Sequence, residues 1–552
     1  MTQVASGYTD PFVAQQLPTE LDSPVFCYTT PELAALQAVS HINCADALFT
    51  RAKANAWDHR PCIWLTPHQT WSYAQLEQLA RQIAAVLTHA MGLQTGQRVL
   101  LRGCNSLMLA ACWLGVLLAG GVVVTTHPQW RQTELAKVIQ KTCINHALCE
   151  GDLRDDWERA AQTSTIPIQT CYWGHSTDDA LESAMQNYPA HQPPAVTAWH
   201  DVAILAPTSG STGEPKITAH THRDVWAACL CWPQAHLQAQ KQDVFIGNAS
   251  LAFTFGLGGL LLFPMYAGAS VVLNHFDTTS ALLQGVMDYQ ATILMATPTA
   301  YRMMMPQATQ LRSSPLRICV SAGEPLPVGT HQSWHNITGL NLLNGMGSTE
   351  MLHIFISGTA QHQNDESIGT VVAGYEACVL DELGNMVNTG TAGYLAVRGP
   401  TGCRYINDDR QKKYVKNGWN ITGDWVIQDD LNRFYFVGRC DDLIISGGNN
   451  ISPSEVESAL LQHSAVAECA VAGMDDDERG QVVAAYVVLQ PSATPGPVLL
   501  AELQLHVKQQ LAPYKYPRRI FWVATLPRTA SGKLQRHHLP TLLASTQTKS
   551  SS

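Results

Sequence analysis

At 552 residues the chain is longer than one ordinary hydrophobic core serves, so two or more domains with a sizeable buried interior are expected. A formal net charge of −10 with no long basic run argues against electrostatic binding of nucleic acid, and a hydrophobic content of 46% argues against general disorder. The fifteen cysteines are scattered, and the closest pair, Cys229 and Cys231, has no CxxC partner or histidine at zinc spacing, so they read as reduced thiols. Met1 to Asp10 lacks the basic region and apolar core of a secretory signal, and a cytoplasmic protein is expected.

Branched apolar runs alternate with helical patterns along the chain. Val99 to Leu101, Val122 to Thr125, Val202 to Leu205, Val271 to Leu273 and Ile318 to Val320 read as buried strands, which predicts α/β layers around parallel sheets. Two uncharged stretches, Ser106 to Thr126 and Leu251 to Leu273, are long enough to span a membrane. Gly120-Gly121 splits the first into a helix and a strand, while Gly256, Gly258, Gly259 and Pro264 break the second, so buried helix–strand units are expected instead. Ser452-Pro453-Ser454-Glu455 has the pattern of a capping box and opens a separate C-terminal unit. The predicted division is residues 1–439, a small α+β unit at 440–545, and a disordered tail at 546–552.

The segment Thr208-Ser209-Gly210-Ser211-Thr212-Gly213-Glu214-Pro215-Lys216 follows one of those strands. Its glycines let backbone N–H groups approach anionic oxygens, its hydroxyls add donors and Lys216 adds a point charge, so it predicts a polyphosphate grip. Taken alone, it also reads as a surface turn. The spacing does not fit the GxxxxGK[ST] loop of kinases and ATPases.

Four further segments accompany it: Asn344-Gly345-Met346-Gly347-Ser348-Thr349-Glu350, Gly418 to Asp424, Gly438-Arg439-Cys440-Asp441-Asp442 and Pro527 to Lys533. In this order the five resemble the adenylate-forming superfamily of acyl- and aryl-CoA synthetases, luciferases and peptide-synthetase adenylation domains, from about Trp71 to Arg536. The resemblance implies a large N-terminal domain of layered subdomains and a small C-terminal domain that swings about a hinge at Asp441. It also implies ATP, Mg²⁺ and CoA as cofactor and co-substrates.

Such chemistry must bring a carboxylate against a triphosphate, which repel one another, so a metal ion and cationic groups have to neutralise the reacting phosphate. Glu350 suits Mg²⁺, a hard ion that takes one or two carboxylates with phosphate oxygens and water. By the resemblance, Thr349 donates to phosphate, Asp424 accepts from the ribose hydroxyls and Arg439 reinforces that contact. Asp424 alone also reads as a turn carboxylate. Ser321-Ala322-Gly323-Glu324 resembles the adenine-side segment, with Asn344, Gly345 and Met346 opposite. Many relatives carry an aromatic where Met346 stands. Lys533 is implied to bridge carboxylate and α-phosphate in the adenylating orientation. After rotation the Ser446-Gly447-Gly448 loop is implied to admit the pantetheine arm of CoA. Many relatives have lysine at Ile445.

For the acyl pocket, Ala252, Phe255, Gly256, Gly347 and His353 resemble the benzoate and aminobenzoate CoA ligases. Phe255 would press a flat ring, and His353 would donate to a ring substituent or the carboxylate; both also read as core residues. The expected function is an ATP-dependent carboxylate–CoA ligase acting on an aryl acid. The alternatives are loading of a carrier-protein phosphopantetheine, a medium-chain or alicyclic acid, and a non-catalytic nucleotide sensor. A homodimer is left open; no membrane partner is expected.

Overall fold

Continuous β-branched runs favour strands buried on both faces, and they build two mainly parallel sheets. The computed structural model describes residues 4–174, 180–188, 191–208, 214–359, 367–446, 449–476, 479–528, 534–540 and 542. A six-stranded sheet has the order Gln169–Trp173, His146–Glu150, Arg98–Arg102, Val122–Thr126, Val202–Thr208 and Lys216–Thr221. Its neighbours run parallel except the last pair, which is an antiparallel hairpin. A nine-stranded sheet is parallel from Leu342–Gly347 through Ile318–Ala322, Ile293–Ala296, Val244–Gly247 and Ser270–Val272 to Pro61–Thr66, with antiparallel strands at both edges.

All five expected strands are present within a few residues of their predicted bounds. Ser106 accepts from Leu109 N at 3.2 Å and caps the helix Leu107–Leu118. Gly120, at φ 76°, then turns the chain into Val122–Thr126; a Cβ there would lie 2.8 Å from the Ala195 and Thr95 side chains. Leu114 and Val116 are wholly buried in this unit. Each such side chain stabilises the fold by about 1.5–3 kcal/mol, which favours a core position for an uncharged helix. Leu251 to Leu273 does not break at Gly256, Gly258, Gly259 and Pro264 as expected: residues 254–267 form one helical run, widened at Gly258–Leu262, which ends at Gly268, φ 72°, before the strand Ser270–Val272. Among the described residues no helix is long and apolar enough to cross a membrane.

An antiparallel sheet follows, in which Trp419–Gln428 lies between Gly393–Arg398 and Phe434–Arg439. The C-terminal sheet is built on the hairpin Val466–Asp476 with Gly480–Leu489, flanked by Ile444–Ser446 and Arg519–Trp522. Helices Pro453–Leu460 and Pro497–Gln510 pack over it, and Val456, Leu460, Val471, Val483, Leu503 and Val507 form its own core. Mixed helix and sheet on a separate core make this the smaller α+β unit. The expected capping box at Ser452 is not formed. The Ser452 hydroxyl donates to the Val437 carbonyl, joined by Ser454 Oγ at 2.9 Å, while Glu455 pairs with Lys515. Val437 lies on the strand Phe434–Arg439 of the preceding sheet, and its carbonyl takes the hydroxyls that local geometry would have spent on the helix.

His222 is wholly buried and His353 nearly so, and burial lowers the imidazole pKa of each from 6.5 to about 3. His222 Nδ1 accepts from Cys44 N at 3.2 Å, which leaves Nε2–H facing Tyr8 Oη at 3.1 Å. Below pH 6.5 the unfolded chain takes up protons that the native state refuses. The associated stability is complete above pH 6.5 and is lost as pH falls toward about 3, at about 1.4 kcal/mol per pH unit for each histidine. Urea unfolding at pH 7.0 and 5.0 should therefore show a marked fall, and His222→Gln with His353→Gln should flatten it by about two protons. A pH-independent midpoint in the unsubstituted protein would contradict neutral burial.

Candidate active site

Thr208 stands opposite Lys216 in the hairpin, so the two described ends of the glycine-rich segment are held side by side by backbone pairing. Ser209, Gly210, Ser211, Thr212 and Gly213 lie outside the described residues. Along the free edge of Lys216–Thr221 runs a segment absent from the predicted set: Ala219 N donates to Arg404 O at 2.8 Å, and Ile406 N donates to Ile217 O at 3.0 Å. This pairing sets the Tyr405 ring 5.4 Å from Lys216 Nζ and lets its hydroxyl donate to Glu350 Oε1. Burial and then the Glu350 charge push the Tyr405 phenol far above its usual pKa, so it remains a donor. Lys216 and Glu350, far apart in sequence, thus meet through one tyrosine.

Thr349 is fixed from below, where His220 Nε2 donates to its carbonyl at 2.8 Å. His220 is wholly buried, and burial lowers its pKa, so it is a neutral imidazole. Its Nδ1 lies 3.9 Å from Asp224, which pairs with Arg404 at 2.5 Å. Burial works against the Asp224 charge, but the Arg404 guanidinium and the Thr221 N–H, 3.0 Å from Oδ2, hold its carboxyl below the usual range. The predicted set missed His220, Asp224, Arg404 and Tyr405. Their signal was the polar run His220 to Asp224 at the end of the strand that starts at Lys216, and an arginine–tyrosine pair before a turn.

Asp424 and Arg439 face each other across adjacent strands, Oδ1 to Nη1 at 2.9 Å. Arg439 Nη1 also donates to Thr422 O at 3.0 Å, and Asp441 lies 3.6 Å from Nη2. A Cβ on Gly423, at φ 78°, would sit 2.9 Å from this guanidinium. Burial opposes the Arg439 charge, but Asp424 and Asp441 raise its pKa. The predicted ribose residues and hinge residue therefore form one cluster.

Ser321 and Ala322 end one strand, in register with Asn344 and Gly345 on the next. Ser321 Oγ is buried without a partner among the described residues. Gly323 turns left-handed at φ 89°, with only Thr297 Cγ2, at 3.9 Å, near the place of a Cβ, so the turn borders open space. Glu324 accepts from Thr299 Oγ1 at 2.7 Å and lies 3.8 Å from Arg528 of the smaller unit. Met346 is half-buried against the main core.

In the predicted acyl set, the Ala252 carbonyl accepts from Thr125 Oγ1 at 2.8 Å. Cβ atoms on Gly256 and Gly347 would meet the Ser250 and His353 carbonyls at 2.1 and 2.6 Å, so close backbone approach explains both glycines. The His353 ring lies among Phe263, Trp232 and Phe255, at centroid separations of 4.5, 5.4 and 5.9 Å. Its Nδ1 is buried and has no partner among the described residues. Ser446 is buried, and Ile445 is exposed beside Gln481. Gly447, Gly448 and Lys533 lie outside the described residues. No cluster of three His, Cys, Asp or Glu able to hold a metal occurs among the described residues.

A large unit of layered sheets followed by a small α+β unit is the architecture of adenylating ligases as a class. The chain belongs to the AMP-binding enzyme family: residues 49–404 match its principal domain and residues 455–533 its C-terminal domain. It is 31% identical to the benzoate–CoA ligase of Thauera aromatica, over 92% of this chain and 97% of that ligase. It is 30% identical to the mitochondrial acyl-coenzyme A synthetase ACSM3 of Homo sapiens, over 89% of this chain and 87% of that protein. The crystal structure of the anthranilate CoA ligase AuaEII with anthranoyl-AMP superposes with a TM-score of 0.86 at 28% identity, covering 93% of this chain and 99% of that one.

Proposed function

We infer that the protein is an ATP-dependent carboxylate–CoA ligase. A carboxylate oxygen attacks the α-phosphorus of ATP and displaces pyrophosphate, giving an acyl-adenylate. The sulfur of CoA then attacks the acyl carbon and AMP departs. The observation that carries the assignment of roles is the convergence of Lys216, Tyr405 and Glu350 on the hairpin that carries the glycine-rich segment. In this reading Lys216 and Thr349 hold the phosphates, and Tyr405 keeps the Glu350 carboxylate aligned. Asp424 and Arg439 take the ribose, and the open turn at Gly323, with the unpartnered Ser321 hydroxyl, takes adenine.

Glu350 is a single, mostly buried carboxylate, and that donor set fits Mg²⁺ delivered with ATP better than a resident metal held by protein alone. Bound there, the ion supplies neutralisation of phosphate charge. Lys533 completes the adenylating arrangement, and the Ser446-Gly447-Gly448 loop admits CoA after rotation about Asp441. The division falls between residues 439 and 440.

We assign the acid to the aryl class. The rings of Phe255, Phe263 and Trp232 pack on the His353 ring itself, so the relatives carry this assignment. Relatives named for benzoate and anthranilate support this, while the relative named for acyl groups in general keeps non-aryl acids in the test. Acid-dependent AMP release is to be followed by mass spectrometry with benzoate, 2-aminobenzoate, hexanoate and cyclohexanecarboxylate. Preference for the first two supports the aryl reading; turnover of only the last two overturns it. Competition between CoA and a carrier-bound pantetheine decides the acceptor.

A further inference from the structure

The end of the phosphate-loop hairpin is held by charged groups that no motif contains. Lys141, in the last turn of the helix Gln132–Thr142, donates to the Pro215 carbonyl at 3.2 Å. Arg410 Nη1 donates to the Glu214 carbonyl at 3.1 Å, and Nη2 lies 3.4 Å from the Pro215 carbonyl. Asp408 joins the two cations, at 2.5 Å from Lys141 Nζ and 2.6 Å from Arg410 Nη2, with its side chain 6% exposed. Lys137 pairs with the Glu214 carboxylate at 3.0 Å.

Three features make this more than a surface ion network. Its donors end on main-chain carbonyls of the two residues immediately before Lys216, so it fixes backbone rather than neighbouring side chains. Pro215 has a restricted φ, and Glu214, as the residue before a proline, disfavours helical geometry, so anchoring these carbonyls constrains where Lys216 begins. The same short segment carries Tyr405 against Lys216 and Glu350 and Arg404 against Asp224, and Gln411 Oε1 accepts from Tyr405 N at 2.8 Å. The segment that aligns the phosphate lysine therefore also pins the loop's exit.

We propose that Asp408, Lys141 and Arg410 form a clamp that positions the exit of the phosphate loop for the β- and γ-phosphates of ATP. They act through the Glu214 and Pro215 carbonyls and are positioning residues. The proposal rests on the reading of the protein as an ATP-dependent ligase. A loop that ends on Lys216 must meet a triphosphate without rearranging at each turnover, and a clamp on its exit holds that geometry before the ligand arrives.

The test is direct binding of Mg·ATP and of AMP to Asp408→Asn, Arg410→Gln and Arg410→Lys, with no acid present. The expected result is an approximately tenfold weaker Kd for Mg·ATP in the first two and a smaller loss in Arg410→Lys, which keeps the charge. Kd for AMP should stay within twofold, because AMP lacks the phosphates at issue, and thioester formation from supplied acyl-adenylate should be unchanged. Mg·ATP affinity within twofold of the unsubstituted protein overturns the clamp. So does parallel loss of ATP and AMP with a lowered Tm, which marks a purely structural network. Failure of the unsubstituted protein to release AMP with any acid would instead overturn the ligase reading, and that result is separate from the binding comparison.

Discussion

Replacing Glu350 with glutamine is expected to lower adenylation by about 10²-fold to 10³-fold and to raise the Mg²⁺ concentration needed for half-maximal rate. The substitution keeps the shape of the side chain and an oxygen for the Tyr405 hydroxyl, so the packing below the hairpin survives and only the charge is lost. Losing one charge contact at a largely water-excluded phosphate site is worth about 3–4 kcal/mol in the transition state, which gives that range of rates. ATP–pyrophosphate exchange measured across a Mg²⁺ titration checks it. Wild-type exchange with an unshifted Mg²⁺ dependence would remove Glu350 from the metal site.

Much of the fold was legible because its strands are buried on both faces and so appear as continuous branched apolar runs. Arg98–Arg102, Val122–Thr126 and Ile318–Ala322 are of this kind, and Gly120 marked a chain reversal that a membrane helix would not contain. The start of the C-terminal helix misled for the opposite reason. Ser452 carries a local capping signal, but a carbonyl on the neighbouring sheet competes for its hydroxyl and wins.

The site shows the same division. Thr208, Lys216, Thr349, Glu350, Asp424 and Arg439 sit in contiguous motifs, so their residue types and spacing announced them. His220, Asp224, Arg404, Tyr405, Lys141, Asp408 and Arg410 did not, because each is unremarkable in its own stretch and gains its place only from a distant partner. Tyr405 reaches Glu350, Arg404 reaches Asp224 and Arg410 reaches the Glu214 carbonyl, and none of these pairings is visible without the antiparallel register of residues 404–406 against 217–219. Gly256 and Gly347 are expected as pocket residues, and the Ser250 and His353 carbonyls beside them leave no room for a Cβ.

Lys533→Ala is expected to separate the two half-reactions. Arg528, shortly before Lys533 in the chain, lies 3.8 Å from Glu324 at the end of the strand-and-turn segment proposed for adenine, so the smaller unit approaches the nucleotide side by the stretch that leads to this lysine. In the proposed role Lys533 stabilises charge on the carboxylate and α-phosphate oxygens while pyrophosphate leaves and has no task once CoA attacks the acyl carbon. Adenylation should fall about 10²-fold to 10³-fold, by the same value of one charge contact in a water-excluded site. Thioester formation from synthetic benzoyl-adenylate or 2-aminobenzoyl-adenylate plus CoA should remain within a few-fold of the unsubstituted protein. Equal loss in both assays would indicate that the lysine supports folding or domain rotation in general, and undiminished adenylation would remove it from the chemistry altogether. The Asp408 and Arg410 variants supply the contrast within the same pair of assays, since they should weaken the step that uses ATP through binding, whereas Lys533→Ala should weaken it through kcat.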